Sequence, residues 1–285
     1  MYSFISDNRA LFRIATQCRV LGASKSGYYS WCSGESYVTS PQEELEEQAV
    51  IRHFWKNKRR YGVRRLYREV KKREGVSIDP YRVRKLMGKH KLKAIQPRSF
   101  VPRTTNSRHP YPISPNLTRG LVIDHPNQVW ASDITYVPVQ GGQWAYLAVW
   151  MDLYARTLIG WALESHMEES LVIKAFKAAA RKRKIPPGMI THSDRGGQYA
   201  GTAFRKLLGH YQIRQSMSDA DNPYDNAFME SYFSRFKAEV VEDGVFENIE
   251  DARTEIFEFI EQYYNIDRLH SSLNYLTPDE YEKNY

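Results

Sequence analysis

The sequence predicts two structural classes in one chain: an all-α amino-terminal part, and an α/β carboxyl-terminal part with a mixed sheet and helices on both faces. Three observations predict this division. Basic residues are concentrated in the first 120 positions, apolar residues up to about residue 93 recur at helical spacing, and alternating strand and helix patterns begin at Gln128. With 42% apolar residues in 285 positions, the chain has enough material for two or three folded domains.

The charge of the chain differs between its two parts. Residues 1–120 contain 25 Lys and Arg against 9 Asp and Glu, whereas residues 121–285 contain 16 against 24, so the formal net charge of +8 conceals two opposite halves. A basic front part is typical of a protein that binds a polyanion such as nucleic acid. The alternative is an ordinary solvated basic surface, and composition alone does not separate the two.

The sequence shows no pattern of a membrane or secretory segment. No window approaches about 18 uninterrupted apolar residues, and no apolar stretch follows a basic amino terminus as in a signal peptide. Cys18 and Cys32 are the only cysteines, and they form neither a disulfide framework nor a zinc motif. These features predict a protein of the reducing cytoplasm without a membrane partner.

Residues 1–36 predict a helix-turn-helix-like segment. RALFRIATQCRVLG has apolar residues at helical spacing and ends at Gly22, and SKSGYYSW begins a second helix with Ser24 as its N-cap. An ordinary helical hairpin is the alternative.

Residues 37–95 predict a basic helical DNA-binding domain of three helices. The third helix has Asp79 as its N-cap and Pro80 at its first position. Between Arg52 and Lys93 the chain holds 17 basic residues against 3 acidic ones, interleaved with Tyr and Leu, which indicates a folded basic surface. Such a surface on short helices favours helix-turn-helix DNA binding over a solvated face. The predicted DNA contacts are Arg59, Arg60, Arg64, Arg65, Arg82, Arg84 and Lys85.

Five prolines between positions 97 and 115 predict an extended linker over residues 96–122. Proline cannot continue a helix, and it biases the preceding residue toward extended geometry. Arg98 and Arg103 keep this linker basic, so they are predicted to lie along a DNA backbone.

Residues 123–285 predict the α/β part. Segments 128–139, 143–154 and 157–164 have strand patterns, with a turn at Gly141-Gly142. Helix and strand patterns then alternate, giving the order β-β-β-α-β-α-β-α-α. This order is typical of a layered sheet covered by helices.

Three carboxylates in this part occupy positions that are unusual for acids or typical of ligand sites. Asp133 lies inside the first strand, Asp194 ends a short strand, and Glu230 lies near the start of a helix. Clustered carboxylates repel each other, and a cation that prefers oxygen ligands, Mg²⁺ or Mn²⁺, relieves that repulsion. Two such ions form a clamp for phosphoryl transfer. The alternative is three unrelated acids at a surface, in a turn and on a helix.

Long motifs around the three acids resemble one known superfamily. Asp194 and Glu230 are separated by 35 residues, and the chain contains WASDITYVP, YLAVWMDLYARTLIGWAL, HSDRGGQYA, NPYDNAFMESYFSRFKAE and YNIDRLHSSLNYLTPDEY. These stretches resemble the DDE transposase and retroviral-integrase superfamily, and more closely the second-reading-frame transposase product, OrfB, of insertion sequence family three. CRVLGASKSGYYSW and YGVRRLYREV are similar to that family's amino-terminal helix-turn-helix modules. The resemblance therefore covers nearly the whole chain.

The resemblance implies a ribonuclease-H-like, integrase-type catalytic core. Asp133, Asp194 and Glu230 would be its catalytic, metal-binding triad, with two Mg²⁺ or Mn²⁺ ions per active site. Lys237, seven residues after Glu230, is similar to the family's basic residue two helical turns further on, which implies contact with the DNA end. Spacing alone equally allows a solvated lysine. The implied activity is cleavage at the terminal inverted repeats of an insertion sequence, followed by joining of the freed 3′-OH to a target DNA phosphodiester.

The resemblance also implies partners and a cellular setting. Family members work as homo-oligomers on paired DNA ends, and some are made as a fusion with an upstream reading-frame product. A prokaryotic, nucleoid-associated protein of the cytoplasm is the corresponding expectation. Two other classes of function stay open: a transposase-derived DNA-binding regulator without catalysis, and a metal nuclease that cuts without joining.

Further expectations concern residues near the triad. Asp225 and Asn226 either orient the triad or only cap the helix of Glu230, with Asp225 as the predicted N-cap. His192 either supports Asp194 or packs in the core. The tryptophans expected in the core are Trp130, Trp144 and Trp150.

Overall fold

The computed structural model describes residues 1–34, 40–97, 110–219, 223–241 and 244–285. Arg98 and Arg103, two of the predicted DNA contacts, lie outside the described residues. Within the described ranges, no helix has the length and apolar character needed to cross a membrane.

The first 34 residues form a small three-helix unit. Ser24 accepts a hydrogen bond from the backbone N–H of Gly27 at 3.2 Å, which confirms it as an N-cap. The helix that it begins is the third and not the second, because the sequence did not predict the helix Tyr2–Asp7. Ile5, Cys18 and Tyr28 form the core of this unit. The helices are α1 (Tyr2–Asp7), α2 (Ile14–Val20) and α3 (Lys25–Cys32).

Three helices form the predicted basic helical domain, and local signals set their ends. Asp79 accepts a hydrogen bond from the backbone N–H of Arg82 at 2.9 Å, which confirms it as the N-cap of the third helix. The second helix ends at Gly75, whose φ of 66° is left-handed and favours glycine. The helices are α4 (Pro41–Lys56), α5 (Val63–Glu74) and α6 (Pro80–Lys89).

A five-stranded mixed sheet forms the centre of the carboxyl-terminal part. Its strands are β1 (Val129–Val139), β2 (Gln143–Asp152), β3 (Thr157–Glu164), β4 (Ile190–Ser193) and β5 (Arg214–Met217). They lie in the order β3-β2-β1-β4-β5. The first three form an antiparallel meander, whereas β4 pairs parallel to β1 and β5 pairs parallel to β4. The predicted mixed sheet is confirmed.

Helices cover both faces of this sheet, as predicted. One face packs against α7 (Glu169–Lys182), α8 (Gly197–Ala200) and α9 (Thr202–His210). The other face packs against α10 (Ala227–Phe236) and α11 (Ile249–Phe257). Two π-helical segments, Lys237–Val241 and Glu258–Tyr264, continue α10 and α11, and α12 (Pro278–Glu282) follows near the end of the chain.

The three tryptophans expected in the core differ in burial. Trp130 and Trp150 are fully buried, and both rings contact Phe176 on α7, so the prediction is confirmed for them. Trp144 is 51% exposed, so the prediction is wrong for it. Its position next to the β1–β2 turn places it away from the helix-covered middle of the sheet, where its ring contacts Tyr136 edge-on.

The helical domain packs directly against the carboxyl-terminal part. Leu269 belongs to the apolar core of the helical domain, and Tyr263 packs against that core. Tyr61 is fully buried; its hydroxyl donates to the carbonyl of Asp267 at 3.1 Å and accepts from the N–H of Leu269 at 2.9 Å. The two parts therefore share a core, although the sequence predicts them as separate domains joined by a linker.

Candidate functional site

The site begins where two neighbouring parallel strands separate. β4 pairs with β1 from Val129 to Ala131, and Asp133 follows two residues further along β1. Asp194 is the first residue after β4, so the sheet brings the two predicted acids to the same edge. The small cavity between these strands is lined by Asp133, Ile134, Met167, Asp194, Gly196, Gln198 and Tyr199.

A tight turn holds the carboxylate of Asp194. Its Oδ1 accepts a hydrogen bond from the backbone N–H of Gly196 at 3.0 Å. A Cβ at Gly196 would lie 3.1 Å from that same oxygen and 2.9 Å from Oε1 of Gln198, both tighter than ordinary contacts. Glycine at this position therefore lets the backbone approach the carboxylate closely.

The charges of three predicted site residues act on a fourth, Asp133. Burial raises the pKa of Asp133 well above its usual value, and the charges of Asp194 and Glu230 raise it further. A hydrogen bond from the backbone N–H of Ile134 at 2.8 Å and the charge of Lys237 act in the opposite direction. The predicted triad and its lysine therefore form one electrostatic cluster around Asp133.

α10 supplies Glu230, and Lys237 begins the π-helical segment that continues it. Glu230 is exposed and does not line the cavity, although its charge reaches Asp133. Lys237 is half-buried; burial lowers the pKa of its amine, and the negative charge of Asp133 opposes that shift. The lysine thus lies within electrostatic reach of Asp133.

The donor chemistry of these acids fits a divalent cation. Asp133 and Asp194 present carboxylate oxygens to one cavity, and their repulsion is the kind that Mg²⁺ or Mn²⁺ relieves. Within the described part of the chain, no three His, Cys, Asp or Glu side chains are arranged so that they could hold a metal ion together. A shared site with Glu230 would require that residue to move closer to the two aspartates.

His192, Asn226 and Asp225 have different surroundings. His192 is buried, and its Nδ1 lies 2.8 Å from the hydroxyl of Ser216, so it joins β4 to β5; burial lowers the pKa of its ring. Asn226 donates to the carbonyl of Ser132 at 3.3 Å and so fastens the start of α10 to β1 beside Asp133.

The N-cap of α10 is Asn226, not Asp225 as predicted. Asp225 instead accepts a hydrogen bond from the backbone N–H of Asp219 at 2.8 Å. It sits in a short 3₁₀ turn just before α10, so the helix begins one residue later than the sequence suggests. Its carboxylate therefore orders the preceding loop.

Tyr199 is one of the residues that line the cavity but do not figure among the predicted site residues. Tyr199 is almost fully buried, and its hydroxyl lies 2.9 Å from that of Ser132, next to Asp133 on β1. Burial, with the charges of Asp133 and Asp194, raises the pKa of this tyrosine well above its usual value. The only sequence signal is its place in HSDRGGQYA, five residues after Asp194.

The predicted basic DNA contacts of the helical domain fall into three groups: exposed, paired with acids, and partly buried. Arg64, Arg84 and Lys85 are exposed on α5 and α6. Arg82 is paired with Glu43 and Glu46. The other three are partly buried: Arg59, whose carbonyl accepts from the Ile95 N–H, and Arg60 and Arg65, which face the carboxyl-terminal part.

Arg60 and Arg65 therefore have a different environment from the one that the sequence predicts. Arg60 donates to the carbonyl of Glu239, and burial beside Arg268 lowers the pKa of Arg65. Both side chains are engaged between the two parts of the protein, so DNA contact stays a prediction chiefly for the exposed group.

The fold is ribonuclease-H-like, as in an integrase-type core. Its sheet has the order β3-β2-β1-β4-β5, and it carries Asp133 on β1, Asp194 directly after β4 and Glu230 on α10. Two family models described as "Integrase core domain" match residues 123–223 and 211–278, and one described as "HTH-like domain" matches residues 41–100.

Whole-chain relatives define the family. The chain is 36% identical to transposase InsF for insertion sequence IS3A of Escherichia coli K12, over 99% of this chain and 98% of that protein. It is 37% identical to an uncharacterized 31 kDa protein of insertion element IS600 from Shigella sonnei, over 94% of this chain and 98% of that protein. The HTLV-2 integrase catalytic core domain in complex with magnesium is similar at 14% identity and a TM-score of 0.43, covering 55% of this chain and 97% of that chain. The chain belongs to the IS3 family of insertion-sequence transposases.

Proposed function

We propose that this transposase cleaves DNA at the terminal inverted repeats of its insertion sequence and joins the freed 3′-OH to a phosphodiester of target DNA. The observation that carries the proposal is the small cavity lined by both Asp133 and Asp194, with the charges of Glu230 and Lys237 also acting on Asp133. Membership of the IS3 family supports the choice of DNA as the substrate of that cluster.

Asp133, Asp194 and Glu230 would hold the metal, Mg²⁺ or Mn²⁺, as two ions per active site. The shared cavity of Asp133 and Asp194 supports this assignment, because two carboxylates that line one cavity repel each other and a cation relieves that repulsion. When bound, two such ions activate the attacking hydroxyl and stabilise the leaving 3′ oxygen of an in-line displacement. The reaction needs no covalent protein nucleophile.

The chain's own side chains would position the DNA. Lys237 lies within electrostatic reach of Asp133, so its amine would contact a phosphate of the DNA end next to the acids. Arg64, Arg84 and Lys85 are exposed on the helical domain and would hold the adjoining duplex through its backbone. Asn226 would keep α10 fastened to β1 while the DNA binds.

The partners follow from the same reaction. Joining two ends of an element to one target requires paired ends, so we expect a homo-oligomer on terminal inverted repeats and target DNA. A fusion or association with an upstream reading-frame product is a further expectation. The cellular setting would be the nucleoid in the cytoplasm of a prokaryote.

A joining assay tests the proposal. The full chain is incubated with labelled element ends, a target plasmid and Mg²⁺, and cleaved and joined products are counted separately. We expect Glu230→Gln to lower both products by about 10²-fold or more. The matched control is Glu255→Gln, because Glu255 is exposed on α11. Binding of the labelled ends should be nearly equal in all three proteins.

Each other outcome contradicts a specific part of the proposal. Absence of cleavage by the wild-type chain would contradict catalysis and favour the DNA-binding regulator. Cleavage without joining would favour the metal nuclease. Full activity of Glu230→Gln would show that the triad assignment is wrong.

A further inference from the structure

The π-helical turn that begins at Lys237 is in contact with the helical domain. Lys237–Val241 follows α10 directly, and Glu239 in its middle is buried. The guanidinium of Arg60, in the loop between α4 and α5, donates to the main-chain carbonyl of Glu239 at 3.3 Å. A side chain of the helical domain thus holds the backbone two residues from Lys237.

Arg60 also contacts the second π-helical segment, Glu258–Tyr264. Its Cζ lies 5.2 Å from the ring centroid of Phe259 and 4.5 Å from that of Tyr263. At these distances the cation is attracted to the aromatic faces. Arg60 therefore bridges the two π-helical segments of the core, and such segments are rare and recur at functional sites.

The side chain of Glu239 fixes the same turn through a second contact. Its two oxygens accept hydrogen bonds from Nη2 and Nε of Arg268 at 2.7 and 3.1 Å, and both side chains are 3% exposed. Burial disfavours the charged guanidinium, but the charge and hydrogen bonds of the Glu239 carboxylate outweigh burial and raise the pKa of Arg268. Removing either Glu239 or Arg268 would leave the other side chain as a buried charge without its partner.

These contacts form a continuous series of hydrogen bonds that begins and ends in one loop of the helical domain and passes through the core. Arg60 binds Glu239, Glu239 binds Arg268, and the next residue, Leu269, donates its N–H to the hydroxyl of Tyr61. Because Tyr61 follows Arg60 in sequence, one loop of the helical domain is tied to the core at two points. Movement of that loop would be transmitted to the turn that carries Lys237.

We propose that Arg60 is a positioning residue for DNA cleavage and joining. It holds the turn Lys237–Val241 and thereby sets the place of the Lys237 amine beside the acids. This inference rests on the proposed function, in which Lys237 contacts the DNA end. The docked loop would then couple binding of the terminal repeat by the helical domain to the geometry of the DNA end at the cavity.

The test compares Arg60→Met with a matched arginine substitution. Methionine keeps an unbranched apolar side chain but removes the charge, the hydrogen bond to Glu239 and the contacts of the cation with the two rings. The control is Arg205→Met, because Arg205 is exposed on α9 and far from these contacts in sequence. Hydrogen exchange of the 237–241 amides, affinity for the terminal repeat, and kcat and KM for cleavage are measured on the full chain with Mg²⁺.

We expect Arg60→Met to raise amide exchange in 237–241 by about tenfold and to lower kcat by about tenfold, with affinity for the repeat changed by less than about threefold. In a Lys237→Ala background, Arg60→Met should lower kcat by less than about twofold further, because both residues act through one contact. If Arg60→Met does not fold, Arg60→Lys replaces it with the same readouts, since lysine keeps a cation near the two rings but lacks the planar guanidinium that donates to Glu239.

Unchanged exchange in 237–241, or an equal loss of kcat in the wild-type and Lys237→Ala backgrounds, would overturn the proposal. The second result would mean that Arg60 only stabilises the fold. If the wild-type chain cleaves no DNA, the proposed function fails; increased exchange in Arg60→Met would then show that the docking contact exists without serving that reaction.

Discussion

At the scale of single residues, the acids were the easiest part of the site to predict. Aspartate is rare in the middle of an apolar strand, so its presence at position 133 on β1 indicates a functional role. The structure places Asp194 on the same cavity. The basic residues were harder, because an arginine looks the same in sequence whether it binds DNA or, like Arg60, holds a carbonyl within the protein.

A buried histidine should make stability depend on pH. Burial lowers the pKa of His270 well below its ordinary value of 6.5, and the positive charges of Arg268, Arg65 and Arg156 lower it further. The unfolded chain takes up a proton near pH 6.5 while the folded chain does not. The free energy of unfolding should therefore fall as pH drops below that value, by at most about 1.4 kcal/mol per pH unit.

Urea denaturation between pH 7.5 and 5.5 measures this dependence. We expect His270→Gln to lose less stability on acidification than the wild-type chain. His166→Gln serves as the control, because His166 is exposed and should leave the slope unchanged. A slope for His270→Gln equal to that of the wild-type chain would show that another group is responsible.

At the scale of elements, most helix and strand positions were predicted, but α1 was not predicted and two later helices were not predicted in full. The patterns over 226–241 and 252–265 predict uninterrupted helices, whereas the structure ends α10 at Phe236 and α11 at Phe257 and continues both as π-helical segments. The side-chain pattern of a π-helical turn resembles that of an α-helix. What distinguishes it is its i→i+5 backbone hydrogen bonds, which a side-chain pattern does not show. Residues of both segments, Glu239, Phe259 and Tyr263, contact Arg60.

The packing of α7 on the sheet depends on one glycine. A Cβ at Gly160 on β3 would lie 2.5 Å from the backbone nitrogen of Ala179 and 2.6 Å from the carbonyl oxygen of Ala175. The clash would be with backbone atoms of α7, which cannot relieve it by a change of rotamer as a flexible side chain can. Gly160→Ala should therefore displace α7 from the sheet. We expect the free energy of unfolding to fall by about 2 kcal/mol or more.

Gly209 gives a matched control for that substitution. It lies within α9, and a Cβ there would meet no atom within 4 Å. Gly209→Ala should therefore raise the free energy of unfolding by up to about 1 kcal/mol, since alanine has the higher helix propensity. Thermal and urea unfolding of both variants check the pair, and similar changes in the two would contradict the close approach of α7.

At the scale of the whole molecule, the net charge of +8 is the sum of a basic front part, residues 1–120, and an acidic part, residues 121–285. The exposed arginines and lysines of the helical domain are available to DNA, while the core carries the excess of acids. We expect the full chain to bind terminal-repeat DNA without divalent metal through the helical domain, and with a steep dependence on salt. Engagement of the DNA by the core should require the metal.

Two arginines of α6 should differ in their contribution to the salt dependence. Arg84 is exposed, so Arg84→Ala should reduce the slope of log Kd against log salt concentration by about 1. Arg82 lies 3.1 Å from Glu46 and 3.3 Å from Glu43, so Arg82→Ala should change the slope much less. Fluorescence anisotropy across a salt series measures both slopes, and equal changes would contradict the assignment of Arg82 to an internal ion pair.

The sequence by itself determined the fold class, most of the elements and the family, because caps, apolar periodicity and motif spacing act within short stretches of chain. It also predicted three acids as a site, of which the structure places Asp133 and Asp194 at one cavity. Only the tertiary structure decided which arginines face solvent, where α10 and α11 turn π-helical, and that Tyr199 lines the cavity. Those features depend on contacts between distant positions: Arg60 meets Glu239 across 179 residues, and Ser132 meets Tyr199 across 67. The physical reason is that burial and charge pairing depend on which chain segments the fold brings together, and local sequence patterns do not record that information.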